Sequence, residues 1–463
     1  MSRLVVISNR VQQLNQGANG NQGGLAVALL AALRERGGVW FGWSGNTTPA
    51  FTGEIAYERE GDTTTAVIDL EPQDIDEYYN GFANRTLWPL FHYRVDLTEF
   101  ERDFSSGYAR VNRRFAETVR PLIEEGDVVW VHDYHLIPLG EELKNRGVTN
   151  RLGFFLHIPW PPADLLVSLP SHRRLVEALF EYDLVGFQTE DWLENFRHYV
   201  TTRLDGVVND DGTITLGERT IRAIAAPIGI ETAEFEAAAR TQAAAFARDR
   251  MYMSATGRSL IVGVDRLDYS KGLPERFAGY ERFLAQNPDR RGLVYMLQIA
   301  PPSREKVDTY QEIRASLDGL SGRINGEYAD IDWTPLRYVN KGYARPDLAG
   351  VYRAARIALV TPLRDGMNLV AKEFVAAQDP KDPGLLILSR FAGAAAQLDQ
   401  AVLVNPYSAE EMSDAIGTAL AMSREERIAR WEALIDNVRR EDVHWWCDLF
   451  LDALDAATVR EPA

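Results

Sequence analysis

Two short stretches concentrate groups suited to holding a phosphorylated ligand. In Arg364–Phe374 (RDGMNLVAKEF), the residues Arg364, Asp365, Gly366 and Asn368 follow an apolar, β-branched run, Ile357–Thr361. They precede a helical spacing that puts Leu369, Val370, Phe374 and Ala377 on one side. A polar, Gly-containing turn that runs into a helix aims free backbone N–H groups at its occupant, and phosphate suits that place. Glu373, about two turns further on, reaches a sugar hydroxyl rather than a second phosphate. An ordinary β–α turn capped by Asp365 is the plainer alternative. In Asp265–Gly272 (DRLDYSKG), Arg266 and Lys271 flank one tight turn after the strand Leu260–Val264. An Arg fork and a Lys point charge could bracket a diphosphate, although salt bridges to Asp265 or Asp268 would use the same charges without any ligand.

The first half carries a different set. Leu4–Ser8 reads as a strand with Asn9 and Arg10 at its carboxyl end. Gly23 and Gly24 then open a helix, Leu25–Leu33, which permits close approach of a ligand to that helix start or simply makes a flexible turn. Asp76–Trp88 (DEYYNGFANRTLW) is aromatic and polar, fitting a sugar platform or a packed loop. Val128–Val131 is a buried strand followed by His132, Asp133, Tyr134 and His135. Two histidines around an aspartate raise a metal site, but further donors at ligand spacing are missing. A hydroxyl acceptor or base at a strand's carboxyl end describes Asp133 better. Phe154–Ile158 repeats the arrangement with His157, a lone histidine that more often is structural. Leu184–Gln188 adds another strand.

Positioning such groups needs a sheet whose carboxyl ends share one edge. The strands alternate with helices, which predicts α/β domains with parallel sheets covered on both faces. At 463 residues the chain suits two such Rossmann-like domains, and their functional ends predict one interdomain cleft. The expected boundaries are 1–235, 236–438 and a helix in 439–463 returning to the first domain. The Ala-rich, helical stretch Glu231–Met253 is read as the crossing. Net charge is −17, with no Lys/Arg run, which argues against a nucleic-acid partner. Any anion must therefore be held by a few placed cations. One cysteine excludes internal disulfides and a Cys metal cluster. The N-terminus does not read as a signal peptide and no apolar run would span a bilayer, so a soluble cytoplasmic protein without membrane partners is expected. Asp330–Thr334 (DIDWT) matches the pattern of aspartyl-phosphate phosphatases, but the residues before it do not make the buried strand that this chemistry wants.

Along nearly its whole length the chain resembles the trehalose-6-phosphate synthases, retaining glycosyltransferases of two-domain GT-B architecture. The resemblance rests on SNR at 8–10, GGLAV at 23–27, FGWSG at 41–45, DEYYNGF at 76–82, LWPLFHYR at 87–94 and WVHDYHL at 130–136. It continues with GFFLHIPWP at 153–161, DRLDYSKGLPER at 265–276, QIAPPSR at 298–304, SGRINGEY at 321–328 and TPLRDGMNLVAKE at 361–373. It implies transfer of glucose from UDP-glucose to glucose-6-phosphate, giving α,α-trehalose-6-phosphate and UDP.

Residue by residue, the resemblance implies that Arg266 and Lys271 hold the donor diphosphate. Gly23, Gly24 and the backbone of Gly366, Met367, Asn368, Leu369 and Val370 would assist them. Glu373 would bind the ribose, the loop at Tyr343 the uracil, and His157 and Asp365 the transferred glucose. Arg10 and Arg304 would clamp the acceptor phosphate beside Tyr79 and Trp88, with Asp133 on an acceptor hydroxyl. Asp133, His157, Arg266, Lys271 and Asp365 are thus the expected catalytic set. No cofactor or metal is expected, UDP-glucose being a co-substrate, and a homo-oligomer is. A glucosylglycerol-phosphate synthase is the alternative within the class. A silent sugar-phosphate sensor is the alternative outside it, and it would be expected to have lost Arg266, Lys271 or Asp133.

Overall fold

The computed structural model describes residues 2–11, 24–303 and 308–457. The chain forms two compact units, one running to Ile228 and resuming at His444, the other covering Gly229–Val443. In the second unit, the apolar runs Ser259–Val264, Val294–Ile299, Ile357–Val360 and Leu385–Ser389 are almost wholly buried. Burial on both faces is what a parallel sheet under helices demands. With Leu336–Val339 and Val402–Val404 they make a six-stranded, all-parallel sheet. Its spatial order by sequence rank is 3-2-1-4-5-6, the dinucleotide-fold order, so the chain reverses direction of growth between Ser259–Val264 and Ile357–Val360. The helix Leu273–Gln286 lays Leu273, Phe277, Tyr280, Phe283 and Leu284 on this sheet, with Pro274 in its first turn.

The first unit's sheet has ten strands. From one edge they are Ala56–Glu60, Thr63–Leu70, Gly38–Thr47, Leu4–Arg10, Val128–His132, Arg151–Phe155, Leu184–Phe187, Arg219–Ala225, Thr213–Leu216 and Val207–Val208. The seven from Thr63–Leu70 to Arg219–Ala225 run parallel. The outer strands are antiparallel. Growth again reverses at the first strand, between its neighbours Gly38–Thr47 and Val128–His132. All but the first residue of the helix Val443–Asp455 belongs to this unit. Trp446 and Phe450 lie 4.9 and 4.8 Å from Trp130, centroid to centroid. The close approach explains Gly153: a Cβ there would stand 2.7 Å from the Phe450 ring.

Several elements depart from the sequence expectation. The strand expected over Phe154–Ile158 lies three residues earlier, so His157 stands past its end. Asp76–Trp88 is no loop but a π-helical segment, Ile75–Leu87. The stretch Glu231–Met253, read as the crossing, is helical as expected, in Thr232–Ala238 and Gln242–Ala255, but it lies inside the second unit, which begins at Gly229. The stretch expected as one helix from Arg439 is divided between Arg424–Arg440 and Val443–Asp455. Asp330–Trp333 is a turn closed by one bridge, with Asp330, Ile331 and Asp332 exposed and Trp333 buried, and not the strand end that a phosphatase signature needs. Among the described residues no helix is long and apolar enough to cross a membrane.

Candidate functional site

Ligands of open α/β sheets lie outside the strand carboxyl ends at the point of reversal. In the second unit that point holds two loops, 265–272 after Ser259–Val264 and 361–368 after Ile357–Val360. Lys271, only 8% exposed, donates through Nζ to Asp365 Oδ2 across the gap. Asn368 Nδ2 donates to the same oxygen at 3.1 Å. Lys271 is thus paired, but with Asp365 and not with Asp265 or Asp268, the partners weighed from sequence. Asp268 instead accepts from Ser270 N at 2.9 Å and from Tyr310 Oη at 3.0 Å. The backbone zips the loops together, Leu363 N donating to Ser270 O at 2.8 Å. Gly272 has φ 64° and abuts Thr361 O, so a side chain there would collide. On the far side, Ala394 N donates to Met367 O at 2.8 Å and Gly393 N to Asp365 O at 3.1 Å.

The segment then turns into the helix Leu369–Ala377 through Asn368, whose φ of 79° and ψ of 85° are unusual for a residue with a Cβ. Its first N–H groups, which no helix can satisfy internally, make a ready anion seat with Gly366 and Met367 before it. Glu373 lies on the same helix. Burial pushes its carboxyl up to about 7, with Arg345 pulling the other way. Arg266 is exposed within the 265–272 loop, and Tyr343 sits under Lys341, whose Nζ is 5.6 Å from the ring.

Behind these loops lies a group that sequence reading overlooked. Arg276, fully buried on the helix Leu273–Gln286, donates to Asp265 Oδ2 at 2.5 Å, Gln298 Oε1 at 2.9 Å and Thr361 Oγ1 at 2.9 Å. Its remaining nitrogen reaches Lys271 O at 3.4 Å. One guanidinium therefore ties together both loops and the backbone of the candidate phosphate lysine. Its signal was present as the closing Arg of DRLDYSKGLPER, but a charged residue on an amphipathic helix reads as surface.

In the first unit, a register shift between Ile7 and Arg10 pairs Arg10 with Trp43. Such a bulge re-aims the side chain, and the guanidinium lies 5.6 Å from the Trp43 ring. Trp43 meets Tyr79 edge-on at 5.6 Å, and Tyr79 stacks on His135 at 5.9 Å. Trp43 and His135 are buried and back Tyr79, which is half-buried, so Tyr79 beside the Arg10 cation is the part of this cluster that fits a sugar phosphate. Trp43 lies in FGWSG on the strand Gly38–Thr47, where a tryptophan among apolar residues reads as core. Trp88 is only 5% exposed and packs on His92 and Tyr134, so it backs this region more than it faces it.

Asp133 follows Val128–His132 with φ 75° and ψ 164°, a conformation natural to glycine. Its Oδ1 accepts from His157 N at 3.2 Å. His157 in turn has both ring nitrogens engaged: Nε2 lies 3.1 Å from His132 Nδ1, and Nδ1 lies 3.3 Å from Gln188 Nε2. Burial holds His157 down at about 3, and burial together with His157 holds His132 well below its ordinary value. Both rings are therefore neutral at physiological pH. Among the described residues no group of three or more His, Cys, Asp or Glu is placed to hold a metal ion.

Of the expected residues, the structure brings Lys271, Asp365, Gly366, Met367, Asn368 and Leu369 together in the second unit. In the first it joins Asp133 to His157, and Arg10 to Tyr79 through Trp43. Gly24 begins the helix Gly24–Arg36. Gly23 and Arg304 lie outside the described residues.

The model of the family described as glycosyltransferase family 20 matches residues 2–456. A trehalose-6-phosphate synthase of Sinorhizobium fredii is 48% identical over 465 residues, covering 99% of this chain and 100% of the relative. An α,α-trehalose-phosphate synthase (UDP-forming) from Burkholderia xenovorans, crystallised with glucose-6-phosphate, superposes with a TM-score of 0.95 at 47% identity, covering 98% of this chain and 100% of that one. An Escherichia coli structure bound with UDP-2-fluoro glucose matches with a TM-score of 0.94 at 44% identity, covering 99% and 100%. A family match over nearly the whole chain shows that this protein belongs to glycosyltransferase family 20.

Proposed function

We propose that the protein transfers glucose from UDP-glucose to glucose-6-phosphate, forming α,α-trehalose-6-phosphate and UDP. The observation that carries this reading is the reversal point of the second sheet, where Lys271, Asp365 and the start of Leu369–Ala377 meet. Relatives of 44–48% identity supply the substrate class, one being crystallised with glucose-6-phosphate and another with a fluorinated UDP-glucose.

In this reading Arg266, Lys271 and the helix start stabilise charge that grows on the departing diphosphate. Preorganised stabilisation of that kind is usually the largest catalytic contribution. No metal is required, because the two cations supply the charge. Glu373 takes the ribose hydroxyls, and the backbone near Tyr343 takes the base. Asp365 and His157 orient the glucose, whereas Arg10, Arg304 and Tyr79, backed by Trp43 and Trp88, take the acceptor, with Asp133 on its hydroxyl. The transfer retains configuration by front-face attack. The bond from C1 to the UDP oxygen breaks as the acceptor oxygen bonds to C1, and the acceptor's proton passes to the leaving phosphate. A covalent route needs a carboxylate nucleophile near an acid. A glycosyl adduct trapped on Asp133→Asn or Asp365→Asn protein would rule out front-face attack.

The direct test measures nucleotide release from UDP-, ADP- and GDP-glucose with glucose-6-phosphate or glycerol-3-phosphate, and reads the product linkage by NMR. UDP release with an α,α-1,1-linked disaccharide phosphate is expected. Turnover only with glycerol-3-phosphate, or binding without turnover in every pair, would overturn the reading.

A further inference from the structure

Gln188 lies outside the phosphate and sugar machinery described above, yet its hydrogen bonds run in only one direction. Ile228 N donates to Gln188 Oε1 at 2.9 Å. A backbone amide cannot accept, so this bond fixes which end of the Gln188 amide is oxygen. The other end is an NH2 group, which can only donate, and it lies 3.3 Å from His157 Nδ1. That nitrogen must present its lone pair. A neutral His157 then carries its proton on Nε2, which faces His132 Nδ1 at 3.1 Å and donates to it. His132 Nδ1 is thereby the acceptor, and the His132 proton is left on Nε2, amid Trp130 and Trp446 at 4.5 and 6.3 Å between ring centroids.

We propose that Gln188 is a positioning residue for the glucosyl transfer: through its amide it selects the Nε2–H tautomer of His157 and fixes the segment that also holds Asp133. His157 is fastened at three points, by Gln188 and His132 through its ring and by Asp133 Oδ1 through its backbone N–H at 3.2 Å. Asp133 needs such a hold, since its φ of 75° is a conformation that its surroundings must impose. Reversing the polarity at Gln188 would turn the imidazole donor into an acceptor and unseat both groups. The catalytic consequence rests on the reading that His157 and Asp133 face the sugars, whereas the proton arrangement does not.

The experiment uses the full chain labelled with ring-15N histidine, together with steady-state kinetics on UDP-glucose and glucose-6-phosphate. Gln188→Glu keeps the acceptor for Ile228 N–H and nearly the same shape, but cannot donate as a carboxylate. Gln188→Met removes both bonds. Long-range 1H–15N spectra of the wild type should show His157 and His132 as Nε2–H tautomers, and Gln188→Glu should invert His157. Both variants should lose kcat by about tenfold or more, with KM values within about threefold, as expected when geometry and not affinity is lost. A wild-type Nδ1–H tautomer at His157 would overturn the proposal, even if a variant failed to fold. So would wild-type kcat in Gln188→Glu beside a loss in Gln188→Met, because that pattern means Gln188 only supports Ile228. His157→Ala separates the two levels. Impaired His157→Ala with normal Gln188→Glu defeats this inference alone, whereas full activity in His157→Ala defeats the reading of His157 on which it rests.

Discussion

Replacing Arg276 by Met should destabilise the second unit far more than a helix-surface substitution would. The Arg276 and Asp265 side chains are 0% and 2% exposed. The substitution preserves most of the side-chain volume but strands Asp265, Gln298 Oε1 and Thr361 Oγ1 without their donor. Breaking a buried ion pair from one side costs about 3–5 kcal/mol. Against a typical domain stability of about 5–15 kcal/mol, that is about a fifth or more. Exchanging both partners for apolar residues, Asp265→Leu with Arg276→Met, removes the stranded charge and should recover about half or more of the loss. A chain of two α/β units need not unfold in one step, so one global midpoint would mislead. Hydrogen exchange in graded urea, read by mass spectrometry on peptides from Ser259–Val264 and Leu273–Gln286, isolates the affected unit. Peptides from Val128–His132 serve as the internal control. Since Arg276 also holds the backbone oxygen of Lys271, folded Arg276→Met should show a raised KM for UDP-glucose. A loss below about 1 kcal/mol, or a double variant no better than the single, would refute the argument that desolvation of an unpaired Asp265 dominates.

Lys271→Ala should lower kcat by about 10²–10³-fold if Lys271 acts on developing diphosphate charge; a change confined to KM would assign it to ground-state binding. Glu373, raised to about 7, holds a proton in the folded protein that the unfolded chain releases near 4.5. Folding stability should therefore fall as pH rises from about 4.5 to 7, and Glu373→Gln should flatten that slope in urea titrations. UDP binding at pH 7 should also release about half a proton if the carboxylate accepts the ribose, seen by calorimetry in buffers of different ionisation enthalpy and absent in Glu373→Gln. His132 and His157 have the opposite sign: both are depressed when folded, so their contribution is present above 6.5 and is lost as pH falls below it. His157→Gln should weaken that acid-side loss of stability, and an unchanged slope would contradict neutral burial. Asp133→Gly should be inactive yet more stable than Asp133→Ala by about 1 kcal/mol, because only glycine adopts its backbone angles freely.

Elements made legible by one-dimensional pattern were readable in advance. Val128–Val131 and Leu260–Val264 announce buried parallel strands because neither face needs a polar residue, and the DRLDYSKG and RDGMN loops announce themselves by charge at strand ends. What escaped depends on residues distant in sequence. Ile75–Leu87 carries Asn80, Gly81, Asn84 and Thr86, all poor helix formers, and its helical state is held by packing and by bonds such as Asn84 Nδ2 to Tyr79 O at 2.8 Å. Thr63–Leu70 opens with three threonines and hides a buried strand behind polar composition. The Lys271–Asp365 pair spans 94 residues, so the sequence offered Lys271 nearer acidic partners and nothing local to reject them. Arg276 shows the same limit: Tyr280 and Phe283 at helical spacing mark its face as buried, but its partners Asp265 and Gln298 are brought to it only by the fold. Asp133 and His157 could each be read at a strand end, but the bond between them could not.

One strained residue of each unit falls at an equivalent place in its sheet. Asp133 follows the strand that adjoins Leu4–Arg10 across the first sheet's reversal point, and Asn368 ends the loop after the strand that adjoins Ser259–Val264 across the second's. Each is a residue with a Cβ at positive φ, a state that costs of order 1–3 kcal/mol when the angles lie outside the ordinary regions. Glycine would remove that cost and, with it, the carboxylate that meets His157 N and the amide that meets Asp365. Both side chains thus secure a neighbour expected to touch substrate, His157 in one unit and Asp365 in the other. Stability is spent at the two points where an α/β sheet opens toward its ligand, and the surrounding bonds hold the strained backbone there. The buried Arg276 network does this beneath the donor loops, and the Gln188–His157–His132 chain does it beside Asp133.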